Sequence, residues 1–181
     1  SGESKVWNVE NGQLRLGYKG LHSETVFGLD FSPDGLTLAS GAADRFVKVW
    51  NAADGKFIRS FEGHTHHVLG VSWRADGRLL ASSGADAAIK VWDARTGDQA
   101  RTIAGYTKEV TAVHFVGDQD IVIGCSGDKI VRFVNAANGR NGRDFPGARD
   151  YTSAPGAHNA GQPTLAGGGD GGAGRRPGEA T

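Results

Sequence analysis

The stretch VKVWN at residues 47–51 returns as IKVWD at 89–93 and as VRFVN at 131–135. A related stretch, SKVWN, lies at 4–8. The three later copies are spaced by 42 residues, and the first copy precedes the second by 43 residues. Self-similarity at such a period is typical of proteins built from repeated supersecondary units. The repeat is therefore the basis for predicting the fold.

Other residues keep the same register within each period. Apolar and β-branched segments such as VFGLDF at 26–31 and LTLASG at 36–41 alternate with turn sequences such as SPDG at 32–35. Each period therefore predicts four short antiparallel strands, and the chain as a whole is predicted to be all-β. The positions that recur at 42-residue intervals are Asp44, Asp86, Asp128 and Asp170, then Gly63, Gly105 and Gly147, and then Val26, Val68 and Val110.

A period of 42 residues with Gly-His before it and Trp-Asp at its end resembles the WD-repeat family, and in particular its bacterial-type members. The resemblance covers Ser4 to about Asp170 and implies a β-propeller, whose blades are four-stranded antiparallel sheets. It implies three complete blades plus partial blades at both ends. The predicted units are a partial blade at 4–20, blades at 21–62, 63–104 and 105–146, a degenerate partial blade at 147–171, and an unpatterned tail rich in Gly, Arg and Pro at 172–181.

This blade number does not by itself make a ring, because closed propellers have about four to eight blades. Three alternatives are a weak four-bladed closure through the C-terminal segment, a fragment of a longer chain, and two copies that complete one ring. We favour the fragment. In the last two cases apolar blade faces at the open ends predict missing blades or a second copy as partners.

The resemblance also implies a buried hydrogen-bond network, in which the Gly-His histidine joins an aspartate, a serine or threonine, and the tryptophan indole. Such groups need partners between packed sheets, since leaving one unsatisfied costs about 1–3 kcal/mol. The matching residues are His22, Ser40, Asp44 and Trp50 in one repeat and His64, Ser82, Asp86 and Trp92 in the next. In the third repeat the positions read Tyr106, Gly124, Asp128 and Val134. Only the aspartate remains there, and joint loss of its partners is expected to be nearly neutral.

Three histidines within four positions, His64, His66 and His67, resemble a metal site. His64 matches His22 and is therefore assigned a structural role. A zinc site uses at least three protein ligands of fixed geometry, and only two histidines are left. We predict no metal, no cofactor and no catalytic residue.

Composition excludes further classes of function. Twenty basic residues balance twenty acidic ones, so no broad positive field is available for nucleic acid. No apolar run approaches the roughly 20 residues needed to cross a bilayer, so no membrane partner is expected. The single Cys125 permits no internal disulfide. The glycine-rich stretch at 167–174 lacks the strand, helix and Lys-Ser/Thr of a phosphate-binding loop.

The leading functional prediction is a non-catalytic scaffold that binds a protein or peptide through one propeller face and its axis. The resemblance places six residues at the entry of the inner strands on that face. They are Thr25, Phe27, His67, Leu69, Glu109 and Thr111. The alternative is a propeller module of a larger bacterial enzyme or sensor with a site at the axis, for which only His67, Glu109 and His114 offer titratable groups.

Overall fold

The computed structural model describes residues 4–146, and this part of the chain is built from β-strands and turns. The strands are β1 (Ser4–Trp7), β2 (Leu14–Tyr18), β3 (Val26–Phe31), β4 (Thr37–Ala42), β5 (Val47–Asn51), β6 (Phe57–Phe61), β7 (Val68–Trp73), β8 (Leu79–Gly84), β9 (Ile89–Asp93), β10 (Gln99–Ile103), β11 (Val110–Phe115), β12 (Ile121–Ser126), β13 (Ile130–Asn135) and β14 (Asn141–Pro146). Within residues 4–146 no helix is long and apolar enough to cross a membrane.

The strands pair with their sequence neighbours in four antiparallel sheets. The first sheet contains only β1 and β2, and three four-stranded sheets follow, which we call blade 1 (β3–β6), blade 2 (β7–β10) and blade 3 (β11–β14). Strand register repeats between blades: Ser40 lies opposite Lys48 in blade 1, and Ser82 lies opposite Lys90 in blade 2. The predicted all-β class with repeated four-stranded blades is confirmed.

A tight turn joins the second and third strands of each blade. The residue after the recurrent aspartate has a positive φ, which L-residues seldom adopt. These residues are Arg45 (71°), Ala87 (58°) and Lys129 (67°). The aspartate stabilises the turn, since Asp44 Oδ1 accepts a hydrogen bond from the Phe46 N–H at 3.2 Å.

Blades 1 and 2 pack face to face through apolar side chains. The rings of Phe61 and Trp92 lie 5.5 Å apart, and both residues are almost fully buried. The inner strands approach so closely that a Cβ added at Gly28 would lie 2.9 Å from Gly70 Cα. Burying each large apolar side chain contributes about 1.5–3 kcal/mol. The buried residues of this interface are Ala39, Val47, Val49, Phe61, Val68, Val71, Trp73, Leu80 and Trp92.

Blades 2 and 3 are joined by a second apolar layer of the same kind. Its buried members are Ala81, Ile89, Val91, Ile103, Tyr106, Val110, Val113, Phe115, Val122, Val134 and Ala136. Because each layer is shared by two neighbouring sheets, apolar residues appear on both faces of the middle blade. On its third strand, Ile89 and Val91 belong to the layer shared with blade 3, and Trp92 belongs to the layer shared with blade 1.

The outer faces of the first sheet and of blade 3 are less covered than the faces between blades. Phe145 on β14 is 46% exposed, whereas the matching Ile103 of blade 2 is 2% exposed. Trp7 on β1 is 54% exposed, whereas the matching Trp92 is 1% exposed. Apolar side chains therefore remain accessible at both outer faces.

The predictions for the C-terminal region lie outside the described residues. This applies to the degenerate blade at 147–171, to the tail at 172–181 and to Asp170. The blade boundaries given above stay predictions.

Candidate functional site

The four network residues of blade 1 lie within hydrogen-bond distance of one another. His22 Nδ1 lies 2.8 Å from Asp44 Oδ1, and His22 Nε2 lies 2.7 Å from Ser40 Oγ. The Trp50 indole donates to the same serine oxygen at 3.0 Å. With the imidazole hydrogen on Nδ1, every donor has an acceptor: indole to hydroxyl, hydroxyl to Nε2, and Nδ1–H to carboxylate.

Blade 2 contains the same arrangement at the matching positions. His64 Nδ1 lies 2.9 Å from Asp86 Oδ1, and His64 Nε2 lies 2.8 Å from Ser82 Oγ, which accepts the Trp92 indole N–H at 2.8 Å. Asp86 also accepts the backbone N–H of Thr65 at 3.1 Å. The network therefore links the loop that enters the blade, its second strand and its third strand.

Burial decides the charge of the two network histidines. It lowers the pKa of His22 and of His64, and this effect exceeds the opposite influence of the neighbouring carboxylates. Both imidazoles are therefore neutral at neutral pH. Burial alone would raise the pKa of Asp44, but the hydrogen bond from His22 and the backbone N–H groups lower it overall, so this carboxylate is ionised.

Blade 3 fills the same position with a different arrangement. Tyr106 is buried where the other blades have histidine, and a Cβ at Gly124 would overlap its hydroxyl, so the glycine makes room for the larger ring. The guanidinium of Arg132 lies 4.7 Å from the Tyr106 ring centroid and donates to Asp128 at 2.7 Å. Val134 replaces the tryptophan and is fully buried.

The sequence analysis predicted that the buried polar groups of blade 3 had been lost together. The structure shows that they were not. The Tyr106 hydroxyl is buried and has no hydrogen-bond partner among residues 4–146, and burial raises its pKa to about 12. Arg132, which the sequence analysis did not single out, supplies Asp128 with a partner. Although burial opposes it, the hydrogen bond from Arg132 contributes to a lowered pKa of Asp128.

The three clustered histidines do not point to one centre. His64 is buried in its network, whereas His66 is exposed and His67 is half-buried, and the rings of His66 and His67 lie 4.4 Å apart. Among residues 4–146, no group of three or more His, Cys, Asp or Glu side chains could hold a metal ion.

The loops that carry the predicted binding face are tied to the neighbouring turns by one repeated backbone hydrogen bond. The carbonyls of Thr25, His67 and Glu109 accept N–H groups from the turn before the third strand of the same blade. The donors are Ala43 at 2.8 Å, Ala85 at 2.9 Å and Gly127 at 2.9 Å. The loop residues are therefore held in matching positions on the three blades.

The predicted face residues differ in accessibility. Phe27 is 50% exposed, and its ring lies 6.1 Å from that of the half-buried His67, on the next blade. Leu69 is half-buried. Thr25, Glu109 and Thr111 are exposed, and Thr111 donates to the Cys125 carbonyl at 3.3 Å. The face thus combines one accessible aromatic ring with polar groups.

A cavity of about 300 Å³ adjoins this face between blades 1 and 2, and we call it the His66 cavity. Its lining consists of Glu24, Ala43, Arg45, Thr65, His66 and His67. Sequence reasoning found only His67 as a binding residue here. Arg45 directly follows a recurrent aspartate, at the tip of a turn. Ala87 and Lys129 occupy the matching turn positions of the other two blades, and this turn position was the signal that could have indicated Arg45 as a cavity residue.

The groups considered for catalysis do not converge. Among residues 4–146, no hydrogen bond joins His67 to Glu109, which lie on different blades. His114 is exposed, and its Nδ1 lies 3.5 Å from Ser72 Oγ. The same serine oxygen accepts the Phe115 N–H at 3.1 Å. The serine is therefore engaged in joining blade 2 to blade 3.

These observations define the chain as a repeat protein built from β-propeller blades. The sequence model described as WD domain, G-beta repeat matches residues 18–51, 55–93 and 97–135, which together are more than half of the chain. The chain belongs to the WD40 family.

Several curated proteins are similar to part of the chain. The nuclear distribution protein PAC1 of Ajellomyces capsulatus is 43% identical over 65 residues, which cover 34% of this chain and 14% of that protein. Protein Notchless of Drosophila melanogaster is 38% identical over 65 residues, 36% of this chain and 13% of its own length. The WD repeat and SOCS box-containing protein 1 of Xenopus tropicalis is 38% identical over 66 residues, 35% of this chain and 15% of its own length. The matched region spans about one seventh of each relative.

Proposed function

We propose that this protein is a non-catalytic scaffold that binds a protein or peptide through the face around Phe27. The observation that carries the proposal is a half-exposed aromatic ring at the start of β3 beside a half-buried histidine, next to loops held by a repeated backbone hydrogen bond. Aromatic residues on a preorganised surface are typical anchors of protein interfaces. The similarity to a protein named for its WD repeats, the WD repeat and SOCS box-containing protein 1, is consistent with the family match.

The remaining face residues have distinct proposed roles. Leu69 extends the apolar contact from Phe27 along the inner strand of blade 2. Thr25, His67, Glu109 and Thr111 surround it with hydrogen-bonding groups that orient the partner. The His22 and His64 networks hold the loops behind this face and take no part in binding.

The test is a selection of peptides from a random display library on the immobilised protein, followed by binding measurements with Phe27→Asp. We expect enriched peptides to bind Phe27→Asp at least roughly tenfold more weakly, because a charge replaces the apolar anchor. Ile58→Asp is the matched control, since Ile58 is 49% exposed, close to the exposure of Phe27, but lies on the outer strand β6. It should bind normally.

Circular dichroism melts must show that both variants fold as the wild type does. Peptides that bind Phe27→Asp as well as the wild type would show that the face is not the binding site. A selection that enriches no peptide would contradict the scaffold function.

A further part of the proposal concerns the outer faces near Trp7 and Phe145. Their accessible apolar side chains favour cover by a further blade or by a second copy of the chain. Sedimentation velocity over a range of concentrations tests whether a second copy covers these faces. If it does, the chain forms a dimer, and Phe145→Ser weakens that dimer. The bacterial type and the fragment status of the chain stay predictions.

A further inference from the structure

We propose that the His66 cavity binds the carboxylate of an Asp or Glu side chain in the docked peptide. This inference rests on the proposed function, because the cavity adjoins the face around Phe27 and shares His67 with it. It adds the chemistry of the partner, which the apolar anchor alone does not specify.

His66 lines the cavity, and its hydrogen-bond pattern leaves a donor on the imidazole ring. The backbone N–H of His67 donates to His66 Nδ1 at 2.9 Å. A ring nitrogen that accepts a hydrogen bond has no hydrogen of its own, so the neutral imidazole carries its hydrogen on Nε2. His66 therefore offers an N–H donor that is not used by its own backbone contact.

Two other residues add donors of the kind that carboxylates accept. Arg45 supplies a guanidinium with several N–H groups, and Thr65 supplies a hydroxyl. Hydrogen bonds from a guanidinium to a carboxylate are charge-assisted and stronger than neutral ones. An N–H, a hydroxyl and a guanidinium lining one cavity match the two oxygens of a single carboxylate.

Backbone hydrogen bonds hold the loops that carry the cavity residues. The Thr65 N–H donates to Asp86 Oδ2 at 3.1 Å, and the His67 carbonyl accepts the Ala85 N–H at 2.9 Å. On the opposite side, Arg45 lies in the tight turn that follows Asp44. The loop backbone therefore needs little reordering when a ligand binds, whereas the exposed side chains of Arg45 and His66 lose rotamer freedom.

Glu24 lines the same cavity, so its carboxylate opposes the attraction of the single guanidinium for any anion. Binding of an acidic side chain therefore depends on direct hydrogen bonds from Arg45, His66 and Thr65, which a carboxylate accepts. Phe27 lies on the His67 side of the cavity. The expected binding motif is therefore an acidic residue next to an apolar residue.

The peptide selection described above tests this inference when it is repeated on Arg45→Gln. The displayed peptides are fused to the coat protein through their C-termini, so that every carboxylate available is a side chain. We expect peptides selected on the wild type to be enriched in Asp or Glu beside an apolar residue. Selection on Arg45→Gln should lose the acidic residue and keep the apolar one.

The binding constant of one selected peptide and of its Glu→Gln or Asp→Asn version then measures the effect. The amide version should bind the wild type roughly ten- to a hundredfold more weakly, in line with one charge-assisted hydrogen bond. It should bind Arg45→Gln and His66→Ala about as well as the acidic version does. Arg95→Gln, which changes an exposed arginine outside the cavity, is the matched control and should behave as the wild type.

The outcomes separate this inference from the proposed function. Enriched peptides without acidic residues, or equal effects of Arg45→Gln and Arg95→Gln, would overturn the carboxylate site while the face around Phe27 stands. A selection that enriches nothing would overturn both.

Discussion

Blades 2 and 3 have the same four strands and the same register but stabilise their interiors differently. Blade 2 encloses a chain of hydrogen bonds from Trp92 through Ser82 and His64 to Asp86. Blade 3 has no such chain, and its tyrosine is covered by the guanidinium of Arg132. The four-stranded geometry therefore does not depend on the histidine network.

The difference shows what the two kinds of interaction contribute. The apolar layer between neighbouring sheets is present in both blades and supplies the larger part of the stabilisation. The polar network avoids the cost of burying an indole and a hydroxyl between those sheets. Once Val134 and Gly124 replace the tryptophan and the serine, the cost of burying those two groups disappears, the unpaired Tyr106 hydroxyl remains, and Arg132 satisfies Asp128.

The largest effect is expected when a buried aromatic residue is removed from the apolar layer. Trp92→Ala should lower the free energy of unfolding by about 3–5 kcal/mol, because it leaves a cavity beside Phe61. Urea unfolding followed by circular dichroism measures this. Trp7→Ala is the matched control, since Trp7 occupies the same register position but is 54% exposed, and it should cost less than about 1 kcal/mol. Equal losses would show that the interface layer is not the main source of stability.

A smaller loss is expected when the centre of the network is removed. Ser82→Ala leaves both the Trp92 indole and His64 Nε2 without their partner, so unfolding should become easier by about 2 kcal/mol. The neighbouring Ser83 is equally buried, and its hydroxyl has no partner among residues 4–146. Ser83→Ala should therefore be nearly neutral. If both serine variants lose the same stability, the loss does not come from the network.

Acidification should destabilise the protein through blades 1 and 2. Burial lowers the pKa of His22 and His64 in the folded state below that of an unfolded histidine, about 6.5. Below about pH 6.5 the unfolded state therefore binds more protons, and the free energy of unfolding falls as the pH decreases toward the folded pKa values. The lowered pKa of Asp44 adds a loss in the same direction below about pH 4.

Urea unfolding at about pH 7.5 and about pH 5 checks this expectation. The double variant His22→Gln, His64→Gln should lose less stability between these two pH values than the wild type does. A wild type that is equally stable at both would contradict neutral, buried network histidines.

The smallest effect is expected in blade 3. Tyr106→Phe removes a buried hydroxyl that has no partner within the described chain, so the free energy of unfolding should stay within about 1 kcal/mol of the wild type or rise. The same unfolding measurement applies. A loss comparable with that of Ser82→Ala would indicate that the tyrosine hydroxyl makes an interaction as important as the histidine network.

Much of the fold could be predicted because a repeat places the same residue type in the same environment several times. Strand types and turn aspartates follow from one register, and the resemblance to the WD-repeat family implied which groups meet in blades 1 and 2. Arg132 keeps the same register, since Lys48 and Lys90 occupy its position in the other two blades and Lys48 Nζ lies 3.7 Å from Asp44 Oδ2. The register did not indicate its contact with the tyrosine. Its contact with Tyr106 arises only when the third strand lies beside the loop that enters the blade.

The sequence by itself therefore determined the all-β class and the 42-residue unit, and its resemblance to the WD-repeat family implied the polar residues that pair inside blades 1 and 2. Only the tertiary structure decided how blade 3 accommodates its tyrosine and which side chains surround the His66 cavity. Periodic positions between two packed blades face similar neighbours, so their strand and turn roles can be predicted from spacing, whereas the same positions at the outer faces, such as Trp7, are exposed. The cavity joins loops of two different blades whose residues do not repeat, and their proximity depends on how the sheets pack together.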